Sequence, residues 1–150
     1  MLWPIMAKAL FSRTRTTLRI GLALVFGAAG ILHLLVPGPF LAITPDWVPQ
    51  PETVIRLTGL AEIGGAIGLM TQRFRRAAGI GLALYSACVF PANLHHAFDP
   101  DLSLPALGWG YHGPRLLVQP VIIWLCLWAS ETIRWPFAGE TKSSSQALDE

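Results

Sequence analysis

Residues 53–70 read Thr53-Val-Ile-Arg-Leu-Thr-Gly-Leu-Ala-Glu-Ile-Gly-Gly-Ala-Ile-Gly-Leu-Met70, which is apolar enough to enter a bilayer yet carries a carboxyl, Glu62, near its middle. On a helix, Glu62 shares its face with Gly59, Gly65 and Ala66, which lie three or four residues away. Small residues let helix backbones approach closely in lipid. The stretch therefore predicts a transmembrane helix whose Glu62 face points at neighbouring helices and not at acyl chains.

The composition of the whole chain indicates the same class. Of 150 residues, 53% are apolar and 13% are charged, against about 25% charged in an ordinary soluble domain. Apolar runs predict four spans, at about 19–36, 54–70, 77–94 and 115–133. A soluble protein of this size has too few polar residues to cover four such helices. The sequence predicts an all-α integral membrane protein, a four-helix transmembrane bundle, and the net charge of +2 indicates no nucleic-acid partner.

Charge is distributed unevenly between the connecting segments. Four basic residues precede the first run and three arginines lie at 73–76, whereas the other two loops carry acidic residues and no lysine or arginine. The positive-inside rule therefore predicts that both termini and the 73–76 loop are cytoplasmic. The predicted organisation is an interfacial segment (1–18), a transmembrane domain (19–135) and a disordered cytoplasmic tail (136–150).

The candidate site residues of the first two spans are His33 and Glu62. His33, near the outer end of its helix, is interpreted either as a ligand or proton carrier or as a hydrogen-bonding residue at a helix end. Glu62 must pair with a group on another helix or be protonated. It is interpreted either as a functional residue or as a structural residue whose neutral carboxyl forms an interhelical hydrogen bond. Arg56 lies six residues before Glu62, about 240° away around the helix, so the two are not expected to pair.

The last two spans add a second set of candidates. Asn93 and His96 share a face of the third helix, and Gln119 lies one turn after Arg115 on the fourth. Adjacent histidines such as His95 and His96 diverge by about 100° on a helix, so no metal site is predicted. The predicted outward polar pocket consists of His33, Glu62, Asn93, His96 and Gln119, with Arg56 and Arg115 at its rim.

The cysteines and tryptophans of the last two spans have simpler interpretations, as packing or lipid-facing residues. Cys88 and Cys126 occur singly, without a C-x-x-C or metal spacing, and are interpreted as small core residues rather than a redox pair. Trp124 and Trp128 lie opposite the polar stripe of the fourth helix and are predicted to face lipid.

Several motifs in order resemble the DoxX-like family of small bacterial four-helix membrane proteins. They are Gly30-Ile-Leu-His-Leu-Leu-Val-Pro-Gly-Pro-Phe-Leu-Ala-Ile-Thr-Pro45, Thr58-Gly-Leu-Ala-Glu-Ile-Gly-Gly-Ala-Ile-Gly-Leu69, Val89-Phe-Pro-Ala-Asn93 and Arg115-Leu-Leu-Val-Gln-Pro-Val-Ile-Ile-Trp124. The resemblance covers roughly residues 19 to 130. It implies a multi-pass protein of the bacterial inner membrane in a loosely redox-associated group, some of whose members are subunits of thiosulfate:quinone oxidoreductase.

Together these features give a functional hypothesis. The chain is expected to be an accessory component of a membrane redox system, not an enzyme on its own, that binds a quinone or docks a membrane oxidoreductase subunit. The cofactor considered is a quinone. Membrane lipid is expected to surround the protein, and association with a second copy of the chain is left open. Two alternatives also stay open: a small-solute or proton-coupled transporter in which Glu62 cycles its proton, and a structural or assembly subunit without a ligand.

Overall fold

The computed structural model describes residues 3–98 and 108–134. Its helices are α1 (Trp3–Leu35), α2 (Gly38–Ala42), α3 (Pro51–Met70), α4 (Arg75–Phe98) and α5 (Gly108–Ala129). No strand occurs within the two described ranges, and the predicted all-α class is confirmed there. The predicted tail, 136–150, lies outside the described residues.

Three helices in the described part of the chain are long and apolar enough to cross a membrane: Leu10–Leu35, Pro51–Met70 and Arg75–Phe98. They indicate a multi-pass membrane protein. α5 is 22 residues long and is not one of these three; Arg115 and Gln119 lie within it, together with Pro114 and Pro120.

α1 runs unbroken from the predicted interfacial segment into the first predicted span, from Trp3 to Leu35. No glycine or proline lies between Pro4 and Gly21 to interrupt it, and a proline in the first turn of a helix is tolerated. The basic residues before the first apolar run are therefore carried on an extension of the same helix.

α1 packs closely against α3 at two glycines. A Cβ built on Gly30 would lie 2.5 Å from the carbonyl oxygen of Gly59 and 2.8 Å from Cγ1 of Ile63. Gly59, Glu62 and Ala66 are all buried, so the predicted inward orientation of the Glu62 face is confirmed. The small residues allow this approach, and the approach determines which side chains of the two helices meet.

The remaining long helices pack in chain order, each antiparallel to the one before. Gly65 and Gly68 of α3 lie against Leu82 and Ala78 of α4, and Gly79 of α4 lies against Ser130, just after α5. The apolar core between the helices consists of Leu22, Phe26, Ala66, Leu69, Leu82, Ala83, Cys126 and Ala129.

One end of the packed helices is held together by Glu131, and we call it the Glu131 end. Oε1 of Glu131 lies 3.4 Å from Nη1 of Arg19 and 3.2 Å from Nη1 of Arg75, so α1, α4 and the residues after α5 meet there. Arg15 lies over the ring of Trp128, 4.7 Å from its centroid. The opposite end, where α1 ends and α5 begins, is called the α2 end.

Two of the simpler interpretations are corrected by this packing. Trp128 is buried, with 2% of its surface exposed, because α1 extends far enough to cover it. Cys88 is exposed and does not belong to the core, whereas Cys126 is buried as predicted.

Candidate functional site

A cleft of about 740 Å³ lies between α1, α3, α4 and α5. It extends along α1 from Thr17 to His33, a helical rise of roughly 24 Å. Val25, Trp47 and Cys88 line it and are exposed, so the cleft is open to the exterior. A cleft of this length suits an extended ligand.

The wall of the cleft changes character along its length. Towards the Glu131 end it is formed by Leu18, Leu22, Val25, Phe26, Ile122 and Leu125. Towards the α2 end it gains polar side chains: His33, Thr58, Glu62, Asn93, Arg115 and Gln119. The cleft thus presents an apolar channel with one polar end.

His33 and Glu62 face each other at this polar end. Nδ1 of His33 lies 2.8 Å from Oε2 of Glu62 and 2.9 Å from the carbonyl oxygen of Ala29. One N–H cannot be directed well at two acceptors, and the Ala29 carbonyl has the better angle, since Oε2 has no well-directed hydrogen bond despite the short distance. Oε2 is therefore held beside the imidazole with capacity to bond a further group.

Tyr85 completes this polar group from α4. Its hydroxyl is within hydrogen-bonding reach of the Glu62 carboxyl and of the Thr58 hydroxyl. Tyr85 has a single proton to donate, and the Thr58 hydroxyl donates its own to the carbonyl oxygen of Ile55, at 2.8 Å. Tyr85 was not among the predicted site residues, although a phenol in the middle of a membrane span signals a need for a polar partner.

Phe40 covers His33 from outside. The two rings stack with centroids 3.8 Å apart and planes inclined by 28°. Phe40 belongs to α2, a five-residue helix that starts with Pro37 as its N-cap and has a proline in its first turn, where the fixed φ of proline favours a helix start. This short helix therefore closes the α2 end over His33.

A second polar network joins α4 to α5. Arg115 donates from Nη1 to Nδ1 of His96 at 2.8 Å and from Nη2 to Oδ1 of Asn93 at 2.5 Å. Asn93 donates to Oε1 of Gln119 at 3.1 Å, and Gln119 donates to the carbonyl oxygen of Ser86 at 2.6 Å. This chain of bonds fixes the guanidinium relative to both helices.

The structure therefore brings most of the predicted site residues together. One cleft is lined by His33, Glu62, Asn93, Gln119 and Arg115. His96 accepts a hydrogen bond from Arg115 and thereby helps to hold its guanidinium in place.

Arg56 is the exception among the predicted site residues. Its side chain is exposed and is not part of the cleft wall. The cause is the spacing from Glu62, which turns Arg56 to another face of α3.

A family model described as "Domain of unknown function (DUF8561)" matches residues 22–132. The chain belongs to the DUF8561 family. The DUF8561 match includes His33, Glu62, Tyr85, Arg115 and Gln119, so both polar networks fall within it. No curated protein and no solved structure matches the chain. The resemblance to the DoxX-like family stays a prediction.

Proposed function

We propose that the chain is a four-helix transmembrane protein of a bacterial inner membrane that binds a quinone, with its headgroup at the α2 end of the cleft and its isoprenoid tail along the apolar wall. Both termini lie in the cytoplasm, so the polar end of the cleft faces the periplasmic side. In this role the protein is an accessory component of a membrane redox system.

The fourth span of this proposal is α5. Its 22 residues give a length of roughly 33 Å, enough to cross the hydrocarbon core. Polar groups that make α5 less apolar are turned inward, since Gln119 is 7% exposed and Arg115 bonds to α4. Lipid would therefore contact mainly its apolar side chains, such as Leu117 and Val121, which are exposed.

The proposed topology gives a direct prediction. A green fluorescent protein fused after Glu150 should fluoresce in cells, and an alkaline phosphatase at the same position should be inactive. The positive-inside rule retains the basic N-terminal segment and the 73–76 loop in the cytoplasm, and four spans return the C-terminus to the same side. Phosphatase fused after Asp46, in the loop that follows α2, should be active. An active phosphatase after Glu150 would contradict the topology.

The His33–Glu62 pair at the polar end of an apolar cleft is the observation that carries the quinone proposal. A quinone carbonyl accepts hydrogen bonds, and the Tyr85 hydroxyl or a protonated Glu62 can donate one. The stacked rings of His33 and Phe40 offer planar surfaces beside these donors. The volume of about 740 Å³ suits a ligand of this size, since ligand pockets usually measure about 300–1,000 Å³.

The transporter alternative is less well supported by the same cleft. Beyond Glu62, towards the Glu131 end, the wall consists mainly of aliphatic and aromatic side chains such as Leu18, Leu22 and Phe26, with Thr17 at its far end. A polar solute or a proton requires hydrated or hydrogen-bonding groups along its path. The wall favours a bound hydrocarbon chain over a passing solute.

Glu62→Gln tests the quinone proposal. The purified variant should keep the wild-type unfolding temperature within a few degrees but bind a short-chain quinone analogue about tenfold more weakly, because an amide cannot carry the proton of the carboxyl. The dissociation constant is measured by calorimetric titration in nanodiscs.

Glu52→Gln is the matched control, since it removes an exposed carboxyl from the first turn of the same helix. Its dissociation constant should equal that of the wild type. An unchanged constant in Glu62→Gln would remove the quinone proposal. The structural alternative would be favoured if Glu62→Gln lowered the stability of the protein and neither the wild type nor the two variants bound the analogue.

A further inference from the structure

We propose that Arg115 forms a separate anion site at the α2 end of the cleft, and that it binds a phosphate group, in the membrane the phosphate of an anionic phospholipid. The inference does not rest on quinone binding. It rests on the bonds of Arg115, on the charges around it and on its position along α5.

The guanidinium of Arg115 is held in place by neutral acceptors. Its two recorded bonds go to a ring nitrogen of His96 and to the amide oxygen of Asn93. A guanidinium carries five N–H donors, so these bonds leave others for a ligand. Because Arg115 lines the cleft, a group in the cleft can reach them.

No carboxylate in residues 3–98 and 108–134 forms an ion pair with Arg115. Arg19 and Arg75, at the Glu131 end, share Glu131, and Glu62 lies beside His33. A half-buried cation surrounded by neutral groups is costly unless an anion accompanies it. The charge pattern in the described ranges therefore leaves Arg115 open to a negatively charged ligand.

The site is preorganised by buried side chains. Asn93, His96 and Gln119 are 9%, 7% and 7% exposed, and Gln119 is itself anchored to the carbonyl oxygen of Ser86. Tyr111 lies beside the guanidinium, with its ring centroid 5.8 Å from Cζ of Arg115. A fixed planar fork of this kind matches the oxygens of a phosphate and loses little side-chain entropy when it binds.

The position of Arg115 favours a lipid phosphate. Trp109 and Tyr111 begin the same helix and are 60% and 43% exposed, and exposed aromatic residues of this kind mark the headgroup region of a membrane. Arg115 lies six residues after Trp109, a helical rise of roughly 9 Å. A long side chain at this depth reaches the level of the lipid phosphates.

The test compares lipids with equal acyl chains and different headgroup charge. Wild-type protein, purified in detergent, is incubated with an equimolar mixture of phosphatidylglycerol and phosphatidylcholine, and bound lipid is counted by native mass spectrometry. We expect the wild type to retain phosphatidylglycerol about tenfold in preference, and Arg115→Gln to lose this preference. Arg115→Lys, which keeps the charge without the fork, should retain part of it.

Arg56→Gln is the matched control, because it removes the same charge near the same end from an exposed position outside the cleft. It should keep the wild-type preference. An equal loss in both variants, or a preference unchanged in Arg115→Gln, would overturn the proposal. Inorganic phosphate is a further arm: if it displaces phosphatidylglycerol at millimolar concentration, the site takes free phosphate as well as lipid.

Photolabelling of the wild type decides the matter if Arg115→Gln does not fold. A phosphatidylglycerol analogue with a photoreactive headgroup should label residues 108–119, and excess unlabelled phosphatidylglycerol should suppress the labelling. Labelling spread evenly over the exposed helix ends would overturn the proposal.

Discussion

Gly30→Ala should lower the free energy of unfolding by about 3 kcal/mol, which corresponds to a fall of roughly 10 °C in Tm for a chain of this length. The added Cβ would lie 2.5 Å from the backbone oxygen of Gly59 and 3.1 Å from Cβ of Glu62. A backbone oxygen cannot rotate away, so α1 and α3 must separate. The Tm is measured from tryptophan fluorescence of the purified protein.

Gly21→Ala is the control for this experiment, since Gly21 lies on the same helix and a Cβ there would meet nothing within 4 Å. It should leave the Tm unchanged or raise it, because alanine favours a helix by up to about 1 kcal/mol over glycine. Equal Tm values for the two variants would mean that the helices do not approach as closely as described.

His33→Leu should cost about 3 kcal/mol of stability, because it leaves the Glu62 carboxyl buried without its imidazole. Glu62→Leu should cost less, about 1 kcal/mol, because His33 keeps its bond to the Ala29 carbonyl. The double variant should therefore be more stable than His33→Leu alone. The four proteins form a double-mutant cycle, measured by chemical unfolding in detergent.

The cycle is its own control, since the double variant contains both changes in volume. If the costs of the two single substitutions simply add, His33 and Glu62 act independently and the short distance between them has no energetic meaning. A double variant that is less stable than the wild type by the sum of the two costs would thus contradict the pairing.

The fold class and much of the site could be predicted from local patterns. The small residues around Glu62 predict an inward face, because only such a face allows close helix contact in lipid, and Glu62 is 4% exposed. Helix periodicity and depth were sufficient to group His33, Glu62, Asn93 and Gln119, since in an antiparallel packing residues at equal depth become neighbours.

Other features depend on contacts between distant parts of the chain. Trp128 is buried by Arg15, more than a hundred residues earlier in the sequence, and no periodicity within α5 reveals that. Tyr85 joins Glu62 only through the packing of α4 on α3.

Exposed Val25 and Cys88 border the cleft on the lipid-facing side of the helices. A quinone that binds as proposed can therefore enter the cleft sideways, by two-dimensional diffusion within the membrane, without passing through water. Occupancy would then follow the mole fraction of the quinone among the surrounding lipids, and its aqueous solubility would have no influence on how fully the protein is loaded.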